Sequence, residues 1–377
     1  MNQVECSGLE SRITMNRAII LIMVLSLCCS FGVHSEADGL SIKQLRSLYA
    51  QPQAMWPEIL TADEQLAQQL APLELLNDAP DPMRVLLGKR LFHDPQLSRD
   101  KTVSCASCHE PRLNFTDKRK VAIGINAQEG TRNTPAIFGL DHWQSFFWDG
   151  RANSALEQAL MPIKNPIEMD LSVSKALVRI NKDRAYAQII RSAFGTKKLS
   201  ERQLAQALVA FQRTLLPPDS VFGSYIKRVQ SNPKDAITLL TDAQLRGMHL
   251  FRTKAKCMTC HEGALLSDND FHITGLHFFG RKFEDFGRFD ATQKIEHIGQ
   301  FRTPSLLGIN KTGPWMHNGL FPSLNGVVNF YNAGGARPKP RKEFADDPRF
   351  PVTTELLPKL QLTPQERTDL VAFLAIL

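Results

Sequence analysis

Two short segments of the sequence place two cysteines and a histidine at the same spacing. They read Cys105-Ala106-Ser107-Cys108-His109 and Cys257-Met258-Thr259-Cys260-His261. The Cys-x-x-Cys-His pattern is typical of covalent haem attachment. In such a site two thiols on one helical turn form thioethers with the porphyrin, and the histidine that follows binds the iron. The pattern therefore predicts two c-type haems, one at each segment.

Cysteine pairs at this spacing also bind zinc, and they form the redox pair of thioredoxin-like proteins. Each alternative would have to explain why a histidine follows the second cysteine in both segments. We therefore prefer the haem interpretation.

The N-terminus is typical of a secretory leader. Two arginines precede an apolar run over residues 18–32, and small residues follow it up to Ser35. The run is shorter than the roughly 20 residues that span a bilayer. We therefore expect a cleaved signal peptide over residues 1–35, a periplasmic protein and no membrane-spanning segment. Cys6, Cys28 and Cys29 would leave with the leader, so all four remaining cysteines belong to the two motifs.

Similar residues frame the two motifs. Gly88 to Phe92 precedes the first motif and Gly247 to Phe251 precedes the second; an apolar helical pattern that ends in Val-Ala-Phe, at 209–211 and 371–373, closes each unit. The closing segments have helix-start signals at Ser200 and at Thr363-Pro364. Strand signals are sparse. The sequence predicts a mainly α protein with two cytochrome c-like domains, each carrying one covalent haem, and long connecting loops.

Proline-rich turns at 217–219 and 231–233 mark the change from one unit to the next. We expect an N-terminal extension over 36–79, a first cytochrome c-like domain over 80–230, and a second over 231–377.

The composition is that of a soluble globular protein. The chain has 377 residues, a hydrophobic share of 43% and a formal charge of +7. Lysine and arginine are scattered, whereas nucleic-acid binding requires a concentrated basic face. We therefore expect no nucleic-acid partner, and only weak steering toward acidic protein partners.

Longer segments carry a resemblance to the bacterial di-haem cytochrome c peroxidase family over nearly all of the mature chain. The matching segments are 87–95, 132–135, 147–151, 156–159, 301–306 and 312–319. This family contains peroxidases reduced by small cytochromes or copper proteins, and MauG-type enzymes that oxidise residues of another protein. The resemblance implies two haems, with axial ligands that separate these branches.

At the first haem, the resemblance places Ile125 after Gly124, where reductively activated peroxidases have a distal histidine. Isoleucine cannot bind iron, so we expect an open sixth position for hydrogen peroxide. His142 is a less favoured substitute ligand. The resemblance also gives Glu168 the role of proton shuttle and Gln158 that of hydrogen-bond donor. Without it, Glu168 would be interpreted as a cap of the helix that follows.

At the second haem, the resemblance places Tyr331 as the sixth ligand, as in the MauG type, where the peroxidases have methionine. A simpler interpretation makes Tyr331 a turn residue. Ala255 stands where MauG-type enzymes have a tryptophan that passes oxidising equivalents to the protein substrate, so that route is in doubt. Trp148 matches the aromatic residue between the two haems.

A calcium ion is also implied, with Asn133, Thr312 and Pro314 as the matching donors. Oxygen donors and waters suit calcium.

These expectations combine into an oxidoreductase that reduces hydrogen peroxide at the first haem. Electrons would pass through the second haem from a small cytochrome c or a cupredoxin. Two alternatives stay open: MauG-type oxidation of a partner protein, and a non-catalytic di-haem electron carrier.

Overall fold

The computed structural model of the protein describes residues 39–61, 64–75 and 79–377. Its regular structure is almost entirely helical, and long loops join the helices. The signal peptide expected over residues 1–35 lies outside these ranges. The α-helices are α1 Ile42–Tyr49, α2 Pro82–Phe92, α3 Cys105–Cys108, α4 Ala155–Gln158, α5 Met161–Lys164, α6 Val173–Lys182, α7 Arg184–Phe194, α8 Glu201–Gln212, α9 Val221–Ser231, α10 Pro233–Ala236, α11 Asp242–Arg252, α12 Phe289–Thr292, α13 Leu324–Asn332 and α14 Pro364–Leu374.

Short 3₁₀ turns interrupt the loops. They are Gln53–Met55, Pro95–Leu97, Pro111–Leu113, Ile125–Ala127, Leu140–His142, Ile237–Leu239, Cys257–Thr259, Ile295–His297, Ile309–Lys311 and Lys342–Phe344. In the described residues, strand structure is limited to β1 Phe271–His272 and β2 Phe301–Arg302, which pair antiparallel with Phe271 opposite Arg302. The prediction of a mainly α protein with long loops is confirmed.

Side-chain caps fix where the closing helices begin. The hydroxyl of Ser200 accepts a hydrogen bond from the N–H of Gln203 at the start of α8, and the Gln203 side chain returns to Ser200. Thr363 and Glu366 form the same reciprocal arrangement at the start of α14. Such a capping box satisfies two backbone N–H groups that a helix start otherwise leaves without partners. The two helix starts expected from the sequence are confirmed.

The same helix crossing occurs twice. Helix α2 packs on α8, and α11 packs on α14. At the first crossing Gly88 lies against the carbonyl of Ala207, and at the second Gly247 lies against the carbonyl of Asp369. A β-carbon at either glycine would collide with that carbonyl, so the absence of a side chain sets the close approach of the helices.

Aromatic residues complete both crossings. Phe92 of α2 meets Phe211 of α8 with ring centroids 5.1 Å apart, and Phe251 of α11 meets Phe373 of α14 at 5.3 Å. All four rings are buried. The N-terminal segment adds to the second crossing, because the hydroxyl of Tyr49 on α1 lies 2.9 Å from Nδ1 of His249 on α11.

None of the helices in the described ranges has both the length and the apolar character that crossing a bilayer requires.

We predict that Gly88→Ala destabilises the protein by about 1–3 kcal/mol, because the new methyl group must push α2 away from α8. Gly39→Ala is the matched control, since nothing lies within 4 Å of a β-carbon at that position. Thermal unfolding of the haem-loaded protein measures both. An unchanged Tm for Gly88→Ala would show that the crossing tolerates a wider spacing.

Candidate active site

The first cysteine motif forms one short helix whose end places a histidine beside a folded-back loop. Helix α3 begins after Ser104, and the N–H of His109 donates to the carbonyl of Cys105 at 2.9 Å. The imidazole Nδ1 of His109 lies 3.0 Å from the carbonyl oxygen of Phe115. Phe115 has a left-handed backbone with φ of 56°, which turns this carbonyl back toward the histidine.

The second motif has the same arrangement in a 3₁₀ turn. The N–H of His261 donates to the carbonyl of Cys257 at 2.8 Å. Its Nδ1 lies 2.9 Å from the carbonyl oxygen of Leu266, which is also left-handed, with φ of 52°.

These contacts fix the tautomer of both histidines. A carbonyl oxygen only accepts, so Nδ1 carries the hydrogen and Nε2 keeps its lone pair. Burial lowers the pKa of His109 and of His261, which keeps both rings neutral. A neutral imidazole whose Nδ1–H is held by a carbonyl is the form that binds a metal ion through Nε2. Both motifs therefore fit a haem iron.

The cysteines fit covalent haem better than zinc. Burial raises the pKa of Cys105 and of Cys257 to about 12. A thioether forms by adding S–H across a vinyl group, and each motif supplies two thiols followed directly by a histidine. In the described chain, the group of three metal-ligand side chains is Cys260, Asp268 and His272, which does not supply the four nitrogen or sulfur ligands of a structural zinc site.

A cavity of about 480 Å³ opens beside the first motif. Its volume lies in the range of pockets that bind a small molecule or cofactor. Residues from separate segments line it together with the motif: Cys105, Cys108, His109, Trp148, Gln158 and Glu168. The structure therefore brings together the residues that the sequence assigned to the first haem and to peroxide chemistry.

Glu168 lies in a turn that its neighbour Asn165 organises. The side-chain amide of Asn165 donates to Oε1 of Glu168 at 2.7 Å, and the N–H of Ile125 donates to the backbone carbonyl of Glu168 at 3.0 Å. Burial raises the pKa of Glu168, although Arg151 and Asn165 act in the opposite direction. The alternative role as a helix cap is wrong, because the hydroxyl of Ser172 caps α6.

Neither Ile125, which stands where related enzymes have a distal histidine, nor the substitute ligand His142 lines the first cavity. The Ile125 side chain is fully buried in the core and does not line the cavity, although Gly124 does. His142 hydrogen-bonds through Nε2 to the carbonyl of Glu74 at 3.0 Å and lines neither cavity. No imidazole other than that of His109 lines the first cavity in the described part of the chain.

A second cavity, with a smaller volume of about 120 Å³, lies beside the second motif. It is lined by Cys257, Cys260, His261 and Tyr331. Tyr331 is in the last turn of α13 rather than in a turn between elements. Burial raises the pKa of its phenol. A phenolate here would therefore require a nearby positive charge, such as a ferric ion. Ala255 also lines this cavity.

Trp148 and Arg302 line both cavities. The indole N–H of Trp148 donates to the carbonyl of Asn133 at 2.9 Å. The backbone carbonyl of Trp148 accepts from the N–H of Arg302 at 2.8 Å. The segment after the first motif thus holds the indole of Trp148, and the segment after the second motif holds its backbone. Trp148 lies where the two cavities approach each other.

Sequence reasoning missed a buried charge cluster beside the first cavity. Arg132 donates through Nε and Nη2 to both oxygens of Asp285, at 2.8 and 2.7 Å, and pairs through Nη1 with Asp149. The side chains of Arg132, Asp149 and Asp285 are 16%, 4% and 9% exposed. Burial alone would raise the pKa of Asp285, but the hydrogen bonds and charge of Arg132 lower it. Arg132 belongs to the matching segment 132–135, which was the signal available in the sequence.

The expected calcium donors are only partly brought together. The N–H of Asn133 donates to the carbonyl of His317 at 2.6 Å, which holds Asn133 beside the segment that contains Thr312 and Pro314. Its side-chain nitrogen donates to the carbonyl of Arg119 at 2.8 Å, which leaves Oδ1 as an acceptor suited to a cation. Thr312 and Pro314 line neither cavity.

Comparisons with known proteins agree with this geometry. The family model described as di-haem cytochrome c peroxidase matches residues 82–231. The methylamine utilization protein MauG of Methylorubrum extorquens is 36% identical over 78% of this chain and 78% of its own length. Cytochrome-c peroxidase IdrP1 of a Pseudomonas species is 30% identical over 82% of this chain and 84% of its own length.

A solved structure, that of a MauG-like protein associated with microbial copper homeostasis, is also similar. It has a TM-score of 0.70 and 31% identity, over 83% of this chain and 94% of that chain. A mainly helical fold with a cavity beside each Cys-x-x-Cys-His motif fits the two haems of that family. The chain belongs to the di-haem cytochrome c peroxidase family, and it is an oxidoreductase enzyme.

We predict that Arg132→Gln destabilises the protein by about 3 kcal/mol at pH 7, because Asp285 would stay buried without its counter-charge. The loss relative to the unmodified protein should shrink as the pH falls. Without Arg132 the burial of Asp285 raises its pKa, so in the variant this carboxyl takes up a proton and loses its unpaired charge between pH 7 and pH 4. In the unmodified protein the pKa of Asp285 is lowered, so its contribution to stability persists over that range and is lost only at lower pH. Denaturant unfolding at pH 7 and pH 4 measures the difference.

The double variant Arg132→Gln/Asp285→Asn should recover part of the lost stability, since it removes the unpaired charge. Arg228→Gln is the control, because the ion pair of Arg228 with Asp235 is half exposed on both sides. A pH-independent loss in Arg132→Gln would contradict the electrostatic account.

Proposed function

We propose that this chain is an exported, periplasmic enzyme that reduces hydrogen peroxide with electrons from a small cytochrome c or a cupredoxin. One observation carries the proposal: Glu168 and Gln158 line the same cavity as the cysteines and histidine of the first motif. An acid–base group and a hydrogen-bond donor beside an iron-binding histidine are what peroxide chemistry requires.

Two covalently bound haem c groups are part of this proposal. The thiols of Cys105 and Cys108 would attach one ring and those of Cys257 and Cys260 the other, with Nε2 of His109 and of His261 toward the irons. When bound, haem supplies the iron that takes up peroxide and accepts electrons. The repeated helix crossing supports two cytochrome c-like domains, over 80–230 and 231–377, with residues 36–79 as an extension.

Glu168 moves the proton. In its base form the carboxylate would take a proton from one oxygen of hydrogen peroxide and return it to the other oxygen, while haem, when bound, would supply the iron. The side-chain amide of Gln158 donates a hydrogen bond in the same cavity. Because Asn165 holds one carboxylate oxygen, the proton is carried by the other oxygen, Oε2.

Trp148 provides the path between the two irons, since this residue lines both cavities. The phenol oxygen of Tyr331 would be the second protein ligand of the iron held by His261. A phenolate favours ferric over ferrous iron, so this centre would retain oxidising equivalents rather than take up electrons easily.

Calcium is proposed at Asn133, with the backbone carbonyls of Thr312 and Pro314 as further donors. The unused Oδ1 of Asn133 supports it. Elemental analysis of protein purified without added calcium tests this, and less than one calcium per chain alongside two irons would count against it.

We predict that Glu168→Gln slows the reaction of the ferric protein with hydrogen peroxide by about 100-fold or more, the usual effect of losing a general acid–base group. Glu157→Gln is the control, because Glu157 is exposed and does not line the cavity. Stopped-flow absorbance of the as-isolated protein measures both rates. A rate within twofold of the unmodified protein would remove Glu168 from the proposal.

The same rate should fall on acidification. Burial raises the pKa of Glu168, so its base form is lost at a higher pH than for an exposed glutamate. The acid limb of the pH profile should disappear in Glu168→Gln.

We predict that Tyr331→Phe changes the absorbance and EPR spectra of the second haem and leaves those of the first haem unchanged. The reason is that the phenol oxygen, and not the ring, would bind the iron. Tyr225→Phe is a matched control, since Tyr225 is buried and lines neither cavity. Identical spectra for Tyr331→Phe and the unmodified protein would show that Tyr331 is not a ligand.

Oxidation of residues in a partner protein, as in the MauG type, is the second candidate. A tyrosine in place of a methionine at the second cavity favours it, whereas Ala255 in that cavity removes one aromatic step toward a partner. A peroxide-dependent turnover with a reduced small cytochrome c favours the peroxidase. Two low-spin haems that do not react with peroxide would instead identify an electron carrier.

A further inference from the structure

Two tryptophans, Trp143 and Trp148, line the first cavity. Their indole N–H groups have equivalent partners. Trp143 donates to the carbonyl of Phe138 at 3.1 Å, and Trp148 donates to the carbonyl of Asn133 at 2.9 Å. A backbone carbonyl accepts a hydrogen bond but is not a base that takes up a proton. Either indole, once it has lost an electron, therefore keeps its proton and becomes a cation.

The two rings differ in the charge that faces them. The guanidinium of Arg302 lies over the Trp143 ring, 3.6 Å from its centroid. The Trp148 ring meets the imidazole of His317, with centroids 6.4 Å apart at 70°. One indole thus lies under a guanidinium, whereas no cationic side chain of the described residues lies over the ring of the other.

Arg302 is held in this position and keeps its charge. The residue is 8% exposed, and Nη1 donates to the carbonyl of Ser145 at 2.9 Å. Burial lowers its pKa only to about 9, which leaves it cationic at neutral pH. No carboxylate of the described residues lies within ion-pair distance of it; Asp149 acts on it only at longer range, whereas the Trp143 ring is in direct contact with its guanidinium.

We infer that Arg302 keeps Trp143 out of the oxidation pathway and so directs oxidising equivalents from the first cavity to Trp148. A cation over an aromatic face is attracted to the neutral ring. The same cation repels the ring once the ring has become a cation, and this repulsion is strong at such a distance in a buried site. Losing an electron is therefore harder for Trp143 than for Trp148.

Which tryptophan is oxidised matters, because only one of the two residues lies next to the second cavity. Trp148 lines both cavities, whereas Trp143 lines only the first. An oxidising equivalent on Trp148 can pass to the second iron. One on Trp143 cannot do so directly, because Trp143 does not line the second cavity. This inference rests on the proposed reaction with hydrogen peroxide.

When both oxidising equivalents of one hydrogen peroxide stay on Trp143, the indole is hydroxylated. The ring loses two electrons and two protons and gains oxygen from water, while hydrogen peroxide takes up the two electrons and is reduced to water. The net reaction converts one indole and one hydrogen peroxide into hydroxyindole and water. The product is heavier by one oxygen atom, so peptide mass spectrometry locates it.

The test compares Arg302→Gln, which removes the charge, with Arg302→Lys, which keeps it. Each haem-loaded protein receives hydrogen peroxide without an electron donor, and peptides are then mapped for oxygen addition. We expect a several-fold rise at Trp143 in Arg302→Gln and no rise in Arg302→Lys. Trp315 is the internal reference, because it lines neither cavity and also donates to a carbonyl, that of Ile309.

An unchanged level at Trp143 in an Arg302→Gln protein with intact haem spectra would overturn the inference. An equal rise in both variants would also overturn it, since the contact rather than the charge would then protect the ring. The unmodified protein gives a test that needs no variant: oxygen addition at Trp143 should stay as low as at the reference Trp315, and a clearly higher level at Trp143 would contradict the inference.

Failure of the proposed function gives a different result. A ferric protein that does not react with peroxide shows no spectral change and no oxygen addition at any tryptophan. A protein that reacts with peroxide but modifies Trp143 freely retains the function and refutes only the role of Arg302.

Discussion

The hydrogen bond from the N–H of Arg302 to the carbonyl of Trp148 is the contact on which the arrangement of the two cavities depends. It joins the segment that follows the second motif to a residue that follows the first. The indole N–H of Trp148 is fixed separately, to the carbonyl of Asn133. With its backbone and its ring held from different segments, Trp148 has one position, and in that position it lines both cavities. A shift of either segment would separate the cavities.

The parts that the sequence predicted are those fixed by local chemistry. The Cys-x-x-Cys-His motifs and the caps at Ser200 and Thr363 each depend on residues a few positions apart, so they can be recognised without knowing the fold. Trp148, Gln158 and Glu168 were found through family resemblance, because they come from separate segments that meet only in the folded chain. The pairing of Arg132 with Asp285, 153 residues away, gave no local signal at all.

The two histidine sites show the same physical requirement met by different loops. Each imidazole needs a carbonyl at Nδ1, and this carbonyl comes from Phe115, six residues after His109, or from Leu266, five residues after His261. Both residues that supply the accepting carbonyl have left-handed backbones. Non-glycine residues adopt this conformation only when the surrounding structure compensates for the strain. The loops therefore cannot be inferred from residue type, although their purpose follows from the histidine they hold.

Related segments have also acquired different electrostatic roles. Arg132 precedes Asn-Thr-Pro and Arg302 precedes Thr-Pro, and both side chains are buried beside the first cavity. Arg132 is surrounded by carboxylates, so its charge is neutralised and it serves to bind segments together. Arg302 has an aromatic ring and a carbonyl instead, so its charge remains effective at the cavity. Arg302 therefore acts on both tryptophans: its backbone N–H holds Trp148 in place, and its guanidinium sets the charge beside Trp143.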